Sequence, residues 1–333
     1  MLLQHAGSMY VFLFARKEVQ NAMKSVLIFG AGGFVGSYLA KEFLDHGYDV
    51  YGTDQVRGER LPHEADFCIC DLMDMERVEN VISRIEPDII INLAAVSSVG
   101  MSWSIPQGTI QINVVGALNI MEAARKSKKK PKIMLIGSSE EYVISDFPMS
   151  EDRPLNASNP YGISKTTQEQ FAKMYREQYG LKIYCVRPFN HTGIGQKESF
   201  VLPSFCKQVA EIDKSGKPGV MKVGNLAVKR DFSHVKDIVR AYRMIAESDD
   251  CKIVYNVGSG KAYSLRDMLE YIIGLNSQKI EIEVDPSRFR PTDQPIICCD
   301  YSLIKTQLGW EPKYTVFDAL KEMFEEYIKK PGV

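Results

Sequence analysis

The chain has 333 residues, 45% of them hydrophobic and 25% charged, and a formal net charge of −1. That length and balance suit a soluble globular chain with an ample core, and near-neutral charge excludes a general attraction to nucleic acid or to an anionic membrane surface. Seven cysteines, an odd number without zinc-ligand spacing, and five dispersed histidines exclude a disulfide framework and mark no metal site, so reduced thiols in a cytoplasmic protein are expected.

Residues 1–22 carry a short apolar stretch with no basic segment before it, and they are expected to lie outside the fold as an extension. No apolar run has the length of a membrane span. The pattern proper begins at 26–29 (VLIF), a short buried strand bounded by glycine. Gly30, Gly33 and Gly36 follow at a spacing of three, and Phe34, Val35 and Gly36 lead into a helix continued by Tyr38, Leu39 and Phe43. A strand that turns sharply into a helix through glycines can cradle phosphate. The glycines let a pyrophosphate approach the backbone, and the helix N-terminus supplies unpaired N–H donors.

A second strand over 48–53 ends at Asp54, placed to bond the adenosine ribose hydroxyls and so to favour NAD over NADP. Arg57 and Arg60 keep the other option open, since an arginine there can hold a 2′-phosphate. A third strand over 67–70 closes with Asp71-Leu72, which a dinucleotide fold places near the adenine. A helix over 75–85 and a strand over 88–93 follow. The strand ends at Leu93 with Ala94-Ala95, small residues that leave space either for a cofactor or for tight packing.

Helical periodicity over 109–126 precedes a fifth strand, 133–136, with Ser138, Ser139 and Glu140 at its carboxyl end. Pro160 opens a helix in which Tyr161 and Lys165 stand four apart and share a face. Phe171, Met174 and Tyr175 continue it as an apolar stripe suited to core or subunit interface. Beyond a sixth strand, 183–186, the sequence predicts helices over 201–212, 237–246, 265–273 and 317–328, strands near 217–224 and over 253–257, and an irregular basic loop over 288–295.

Alternating strands and helices predict an α/β, doubly wound parallel sheet, with ligands at the carboxyl ends of the strands. Residues 23–188 plus about 233–257 read as a dinucleotide-binding domain. Residues of about 189–232 plus 258–333 read as a smaller substrate domain interleaved with it.

The glycine cradle, the strand-end serine and Tyr-x-x-x-Lys together suit a carbonyl/alcohol redox site. Hydride moves between nicotinamide and carbon while a proton moves to or from oxygen. A tyrosine has an ordinary pKa of about 10, and a lysine one turn away is expected to stabilise its phenolate and lower that value.

GAGGFVG, Asp54, Asp71-Leu72, Asn92-Leu93-Ala94-Ala95, Ser138 and YGISK resemble the extended short-chain dehydrogenase/reductase family, over essentially 23 to 327. The resemblance implies a Rossmann fold and NADH or NADPH held by Gly30, Gly33, Phe34, Val35, Gly36, Asp54, Asp71, Leu72, Leu93, Ala94, Ala95, Tyr161 and Lys165. It also implies Ser138, Tyr161 and Lys165 as catalytic triad, no metal, and a homodimer built on the helices at 109–126 and 160–178.

VRPFNHTGIGQ and VGNLAVKRDFSHVKD look like the branch that acts on GDP-mannose derivatives. That likeness implies Asn190, Asn225, Arg230 and Arg290 as substrate contacts. The reaction it implies is NAD(P)H-dependent reduction of the C4 keto group of a GDP-linked 4-keto-6-deoxy sugar, to GDP-D-rhamnose or its C4 epimer. The alternative within the branch is 4,6-dehydration of GDP-mannose with Glu140 as the C5 base. Against it, the segment 192–196 lacks the paired arginine run of dehydratases. A nucleotide-sugar 4-epimerase is a weaker third reading, and the intact Ser138, Tyr161 and Lys165 argue against a catalytically idle sensor.

Overall fold

A computed structural model of the protein describes residues 24–143, 148–249, 252–286 and 295–330. The expected N-terminal extension, and Arg290 with most of the basic loop around it, lie outside the described residues.

The first half runs β1 (Ser25–Phe29), α1 (Phe34–Asp45), β2 (Asp49–Asp54), β3 (Asp66–Ile69), α2 (Met75–Ile85), β4 (Ile89–Asn92), α3 (Val99–Ser104) and α4 (Pro106–Ile110). A π-helical turn (Gln111–Val115) joins α4 to α5 (Gly116–Lys126), and β5 (Lys132–Ile136) and α6 (Pro160–Tyr179) follow. The second half runs β6 (Ile183–Pro188), β7 (Asn190–Thr192), α7 (Val201–Ser215), β8 (Gly219–Val223), β9 (Lys229–His234), α8 (Val235–Glu247) and β10 (Val254–Val257). It ends with β11 (Ala262–Ser264), α9 (Leu265–Ile273), β12 (Ile280–Val284), β13 (Ile296–Ile297), α10 (Ser302–Leu308) and α11 (Val316–Lys329).

Seven strands form one sheet in the order β10-β6-β5-β4-β1-β2-β3, every pair parallel. This is the doubly wound Rossmann arrangement. Alternation along β1 decides which side chain meets which layer. Val26 and Ile28 pack with Leu39 and Phe43 of α1 and with Ile238 and Tyr242 of α8. Leu27 and Phe29 pack on the other face with Val78, Ile120, Met121 and Ala172, from α2, α5 and α6. The β4 run Ile-Ile-Ile-Asn is buried throughout, as a strand covered on both faces must be.

The chain steps outward from β1 to β2 and β3, then returns to lay β4 on the other side of β1. That reversal opens a crevice at the carboxyl ends of the strands. After Pro188 the chain leaves the sheet, and it returns to it only with β10. The excursions build a four-stranded sheet in which β9 pairs with β7, β11 and β13, together with the parallel pair β8–β12. A third apolar cluster, including Leu202, Phe205, Met268, Leu320 and Phe324, binds α7, α9 and α11 over these strands.

One predicted element differs in kind. The helix expected over 109–126 is interrupted by the π turn. Its Asn113 is wholly buried, accepting from Val96 N at 2.8 Å and donating to Ser164 Oγ at 2.8 Å and Val96 O at 3.2 Å. The extra residue of a π turn aims this amide inward, tying the segment after β4 to α6. Strands β9, β11, β12 and β13 were not distinguished in the sequence, because each is short and half-polar and gains its ladder from distant segments.

Candidate functional site

A cleft of about 1100 Å³ lies across the carboxyl ends of the sheet and the lobe built after Pro188. Its first wall is the turn from β1 into α1. Gly30 has φ +81°, and a Cβ there would sit 2.6 Å from Ala94 N, so only glycine brings β1 this close to the end of β4. Gly33 caps α1 without a side chain, leaving the N–H groups at Phe34, Val35 and Gly36 at the positive end of the helix facing the cleft. Anionic oxygens fit this wall, since it offers backbone donors and no competing side-chain cap.

At the tip of β2, Asp54 Oδ2 accepts from Gly32 N at 3.1 Å and Oδ1 from Gln55 N at 2.7 Å. The two arginines that could have turned toward a phosphate here face elsewhere. Arg57 donates to Pro62 O at 2.8 Å and lies over the Phe67 ring, and Arg60 pairs with Glu326 at 2.8 Å. Asp71, Leu72, Leu93, Ala94 and Ala95 line the same end of the cleft.

The floor comes from β5 and α6. A 3-10 turn over Ser139–Glu141 follows β5, capped by Ser138, whose Oγ accepts from Glu140 N at 3.1 Å. Asn159 caps α6 by accepting from Gly162 N, and its amide donates to Glu140 Oε2 at 2.9 Å, holding that carboxylate at the cleft. A Cβ on Gly162 would lie 2.4 Å from Glu140 O, so its glycine lets α6 tuck beneath the turn. Ser138, Tyr161 and Lys165 thus meet at the cleft, with the serine hydroxyl as hydrogen-bond partner of the phenol.

Burial pushes the Tyr161 phenol well above its ordinary range, against the lowering effect of that hydroxyl. The Lys165 ammonium stands 5.9 Å from the Tyr161 ring centroid and donates to Ile136 O at 2.7 Å. The lowering of the tyrosine by its lysine neighbour, expected from the spacing, is therefore not what the fold produces: the lysine is turned toward the strand-end carbonyl. Burial brings Lys165 itself down to about 8. A protonated phenol beside a hydroxyl can give a proton to an oxygen bound between them.

Behind the floor lies a charged network that the sequence did not reveal. Arg187 grips Glu169 through two bonds, of 2.9 and 2.6 Å, and donates to Tyr142 Oη at 2.8 Å. Glu141, completely buried, accepts from Ser138 N at 2.7 Å, and burial and then Glu169 push its carboxyl up to about 7.

The second wall carries Asn190 on β7, Asn225 before β9 and Arg230 on β9, all lining the cleft. Asn225 Oδ1 accepts from Ala227 N at 3.0 Å, and Arg230 donates to Lys229 O at 2.9 Å. The neighbouring Asp231 is buried, accepting from the backbone N–H of Ser259, Gly260 and Cys299 at 2.8–3.0 Å, which fixes β9 where Arg230 emerges. His191 also lines the cleft, stacked on Phe34 at 6.2 Å between ring centroids, so the two walls touch there. Neither His191 nor Asn159 was singled out in the sequence, although an Asn-Pro at a helix start signals the cap.

Every described residue expected from the sequence at the site lines this one cleft. Among the described residues no group of three or more His, Cys, Asp or Glu is arranged to hold a metal, and no helix is long and apolar enough to cross a membrane.

The family model for GDP-mannose 4,6 dehydratase matches residues 27–323. The chain is 28% identical over 305 residues to GDP-6-deoxy-D-mannose reductase of Pseudomonas aeruginosa, covering 91% of this chain and 96% of that relative. It is 31% identical over 337 residues to GDP-mannose 4,6 dehydratase 2 of Arabidopsis thaliana, covering 94% and 89%. Among solved structures, RMD from Pseudomonas aeruginosa complexed with NADPH matches with a TM-score of 0.80 at 25% identity, over 92% of this chain and 99% of that one. UDP-glucose 4-epimerase from Thermus thermophilus complexed with NAD matches with a TM-score of 0.80 at 25% identity, over the same shares. With the parallel sheet, the glycine turn and the Ser138, Tyr161 and Lys165 cluster, these likenesses show that the chain belongs to the GDP-mannose 4,6 dehydratase family, within the extended short-chain dehydrogenase/reductases.

Proposed function

We propose that the protein reduces the C4 keto group of GDP-4-dehydro-6-deoxy-D-mannose to GDP-D-rhamnose or its C4 epimer. The observation that carries this reading is the buried Tyr161 phenol, held protonated against Ser138 at the cleft floor beneath the glycine turn. A reduction needs a proton donor at the carbonyl oxygen, and Tyr161 is poised as one. Ser138 orients that oxygen, and Lys165 supplies positive charge as the phenol gives up its proton.

The backbone donors of residues 33–36 and the carboxylate of Asp54 suit a nicotinamide dinucleotide, which supplies the hydride when bound. Asp54, with Arg57 and Arg60 engaged elsewhere, supports NADH ahead of NADPH. Arg230 and Asn190 are placed for the sugar nucleotide's phosphates, where an arginine's fork matches anionic oxygens. In this reading residues 23–188 plus about 233–257 bind the dinucleotide and residues of about 189–232 plus 258–333 bind the sugar nucleotide. Exposed Ile110 at the end of α4, Val115 on the π turn, and Ile163 and Met174 on α6 support a homodimer through those helices, which light scattering would detect.

The second reading is 4,6-dehydration of GDP-mannose, a lyase reaction, and Glu140 at the cleft favours it. One assay separates the two. GDP-mannose is first converted by a separate dehydratase, then this protein is added with NADH or NADPH and nicotinamide absorbance is followed. Stoichiometric loss of reduced cofactor supports the reductase. No loss, with a keto sugar appearing from GDP-mannose alone, supports the dehydratase and gives Glu140 the base role.

A further inference from the structure

We propose that Glu141 is a positioning residue of the site: its carboxylate holds the Ser138 backbone and is the anionic partner that keeps the buried Lys165 side chain an ammonium. The inference rests on the reading of Ser138, Tyr161 and Lys165 as the reacting groups.

Glu141 sits on the 3-10 turn after β5 and has no exposed surface. Its Oε1 accepts from Ser138 N at 2.7 Å and would lie 2.4 Å from a Cβ on Gly137, so the carboxylate is pressed beneath the strand-end peptide. Its Oε2 accepts no hydrogen bond from the described residues. An ionised carboxylate with a bare oxygen in a dry site is costly unless a cation acts on it.

The charges around it are divided. Lys165, Glu169 and Tyr161 face it from α6, and Arg187 and Cys185 from β6. Arg187 is matched by Glu169 through both carboxylate oxygens, and Glu169 also takes Lys173 at 2.7 Å. Lys165 is left with a neutral partner, the carbonyl of Ile136, and is 3% exposed. Among the described residues, Glu141 is the carboxylate that acts on Lys165, while two cations act on Glu141: Arg187, already bonded to Glu169, and Lys165, which has no carboxylate bonded to it. Glu141 and Lys165 each favour the charged form of the other.

The sequence offered no reason to prefer Glu141 over Glu140, because their opposite directions, one into the cleft and one beneath it, come from the tight turn. Glu140 touches the cleft and bonds Asn159, whereas Glu141 lies beneath it, bonded to the Ser138 backbone and acting by its charge on Lys165 and Tyr161.

Glu141→Gln tests this, since it keeps an oxygen for the Ser138 N–H and removes the charge. The direct readout is a pH titration of Lys165 by the NMR signal of its 13Cε in lysine-labelled protein, assigned by its loss in Lys165→Arg. The midpoint in Glu141→Gln is expected about one pH unit below that of the wild type. In turnover, the alkaline limb of kcat moves down by a like amount while nicotinamide affinity stays within about twofold. Below pH 7 the wild-type carboxyl is largely neutral, so the deficit narrows there. A purely structural role would lower kcat equally at every pH. An unchanged Lys165 titration overturns the proposal.

If Glu141→Gln does not fold, Glu141→Asp decides: it keeps the charge and should hold the Lys165 midpoint near the wild type, whereas a fall of about one unit there overturns the proposal. The NMR titration needs no substrate, so it stands even if the protein proves not to be a reductase. A failed assay on the keto sugar with a shifted Lys165 midpoint breaks the functional reading alone.

Discussion

The glycine wall and the arginine wall of the cleft are built from different parts of the chain's chemistry. On the first, main chain meets main chain: Gly30 closes on Ala94, and the N–H groups entering α1 face the cleft bare of side chains. On the second, Asn225 and Arg230 reach into the cleft from a frame that buried Asp231 fixes through backbone donors. The first wall has no room for a Cβ at Gly30, and the second is expected to exchange side chains while keeping its frame. Under the proposed function, chemistry common to many ligands belongs on the first, and discrimination among sugar nucleotides on the second.

The largest expected effect falls on neither wall but on the floor between them. Tyr161→Phe should lower kcat by about 10²–10⁴-fold while the dissociation constant for reduced nicotinamide nucleotide stays within about twofold. A parallel loss of affinity, measured by fluorescence titration, would give Tyr161 a part in binding the nucleotide and not only in the reaction.

Gly30→Ala attacks the glycine wall directly, because a Cβ in a left-handed backbone, 2.6 Å from Ala94 N, forces β1 and β4 apart. Backbone strain of this kind costs on the order of 1–3 kcal/mol before the clash is counted. The variant should lose thermal stability and bind the nucleotide at least about tenfold more weakly.

Arg230→Ala sharpens the contrast from the other side. Losing one charge-assisted contact should raise KM for the sugar nucleotide roughly tenfold to a hundredfold. Melting temperature and nicotinamide affinity should stay near wild type. A collapse in stability would show that Arg230 belongs to the frame and not to the exchangeable surface.

The last effect concerns stability against pH. Glu141 is raised from its ordinary 4.5 to about 7, so the folded state binds its proton more tightly than the unfolded state does. Its stabilising share is fully present below pH 4.5 and is lost as pH rises through 7. Glu141→Gln should therefore flatten the decline in denaturation midpoint across that window, and a decline identical to wild type would contradict the assignment.

The parts of the site legible in the sequence are those whose geometry is local. Gly30, Gly33 and Gly36 announce a turn because a strand pattern and a helix pattern flank them. Tyr161 and Lys165 share a face because an α-helix repeats every 3.6 residues. The carboxyl ends of β1, β2, β4 and β5 could be aligned on paper because parallel strands separated by helices leave few topologies. The interrupted helix over 109–126 was read as continuous because its apolar positions keep helical spacing, whereas the π turn answers to Asn113 and its distant partners Val96 and Ser164.

By itself, then, the sequence determined the doubly wound sheet, the glycine turn and the shared helix face of Tyr161 and Lys165, since each follows from periodicity, backbone freedom and spacing over a few residues, while the substrate-side residues came from resemblance and His191 and Asn159 were missed. Only the tertiary structure decided where the charges went. It turned Lys165 to the carbonyl of Ile136, paired Glu169 with Arg187, and sent Glu140 toward Asn159 while burying Glu141 beneath Ser138. The physical reason is that a side chain's protonation and partners depend on dielectric and on neighbours from other strands and helices, and those are set by packing.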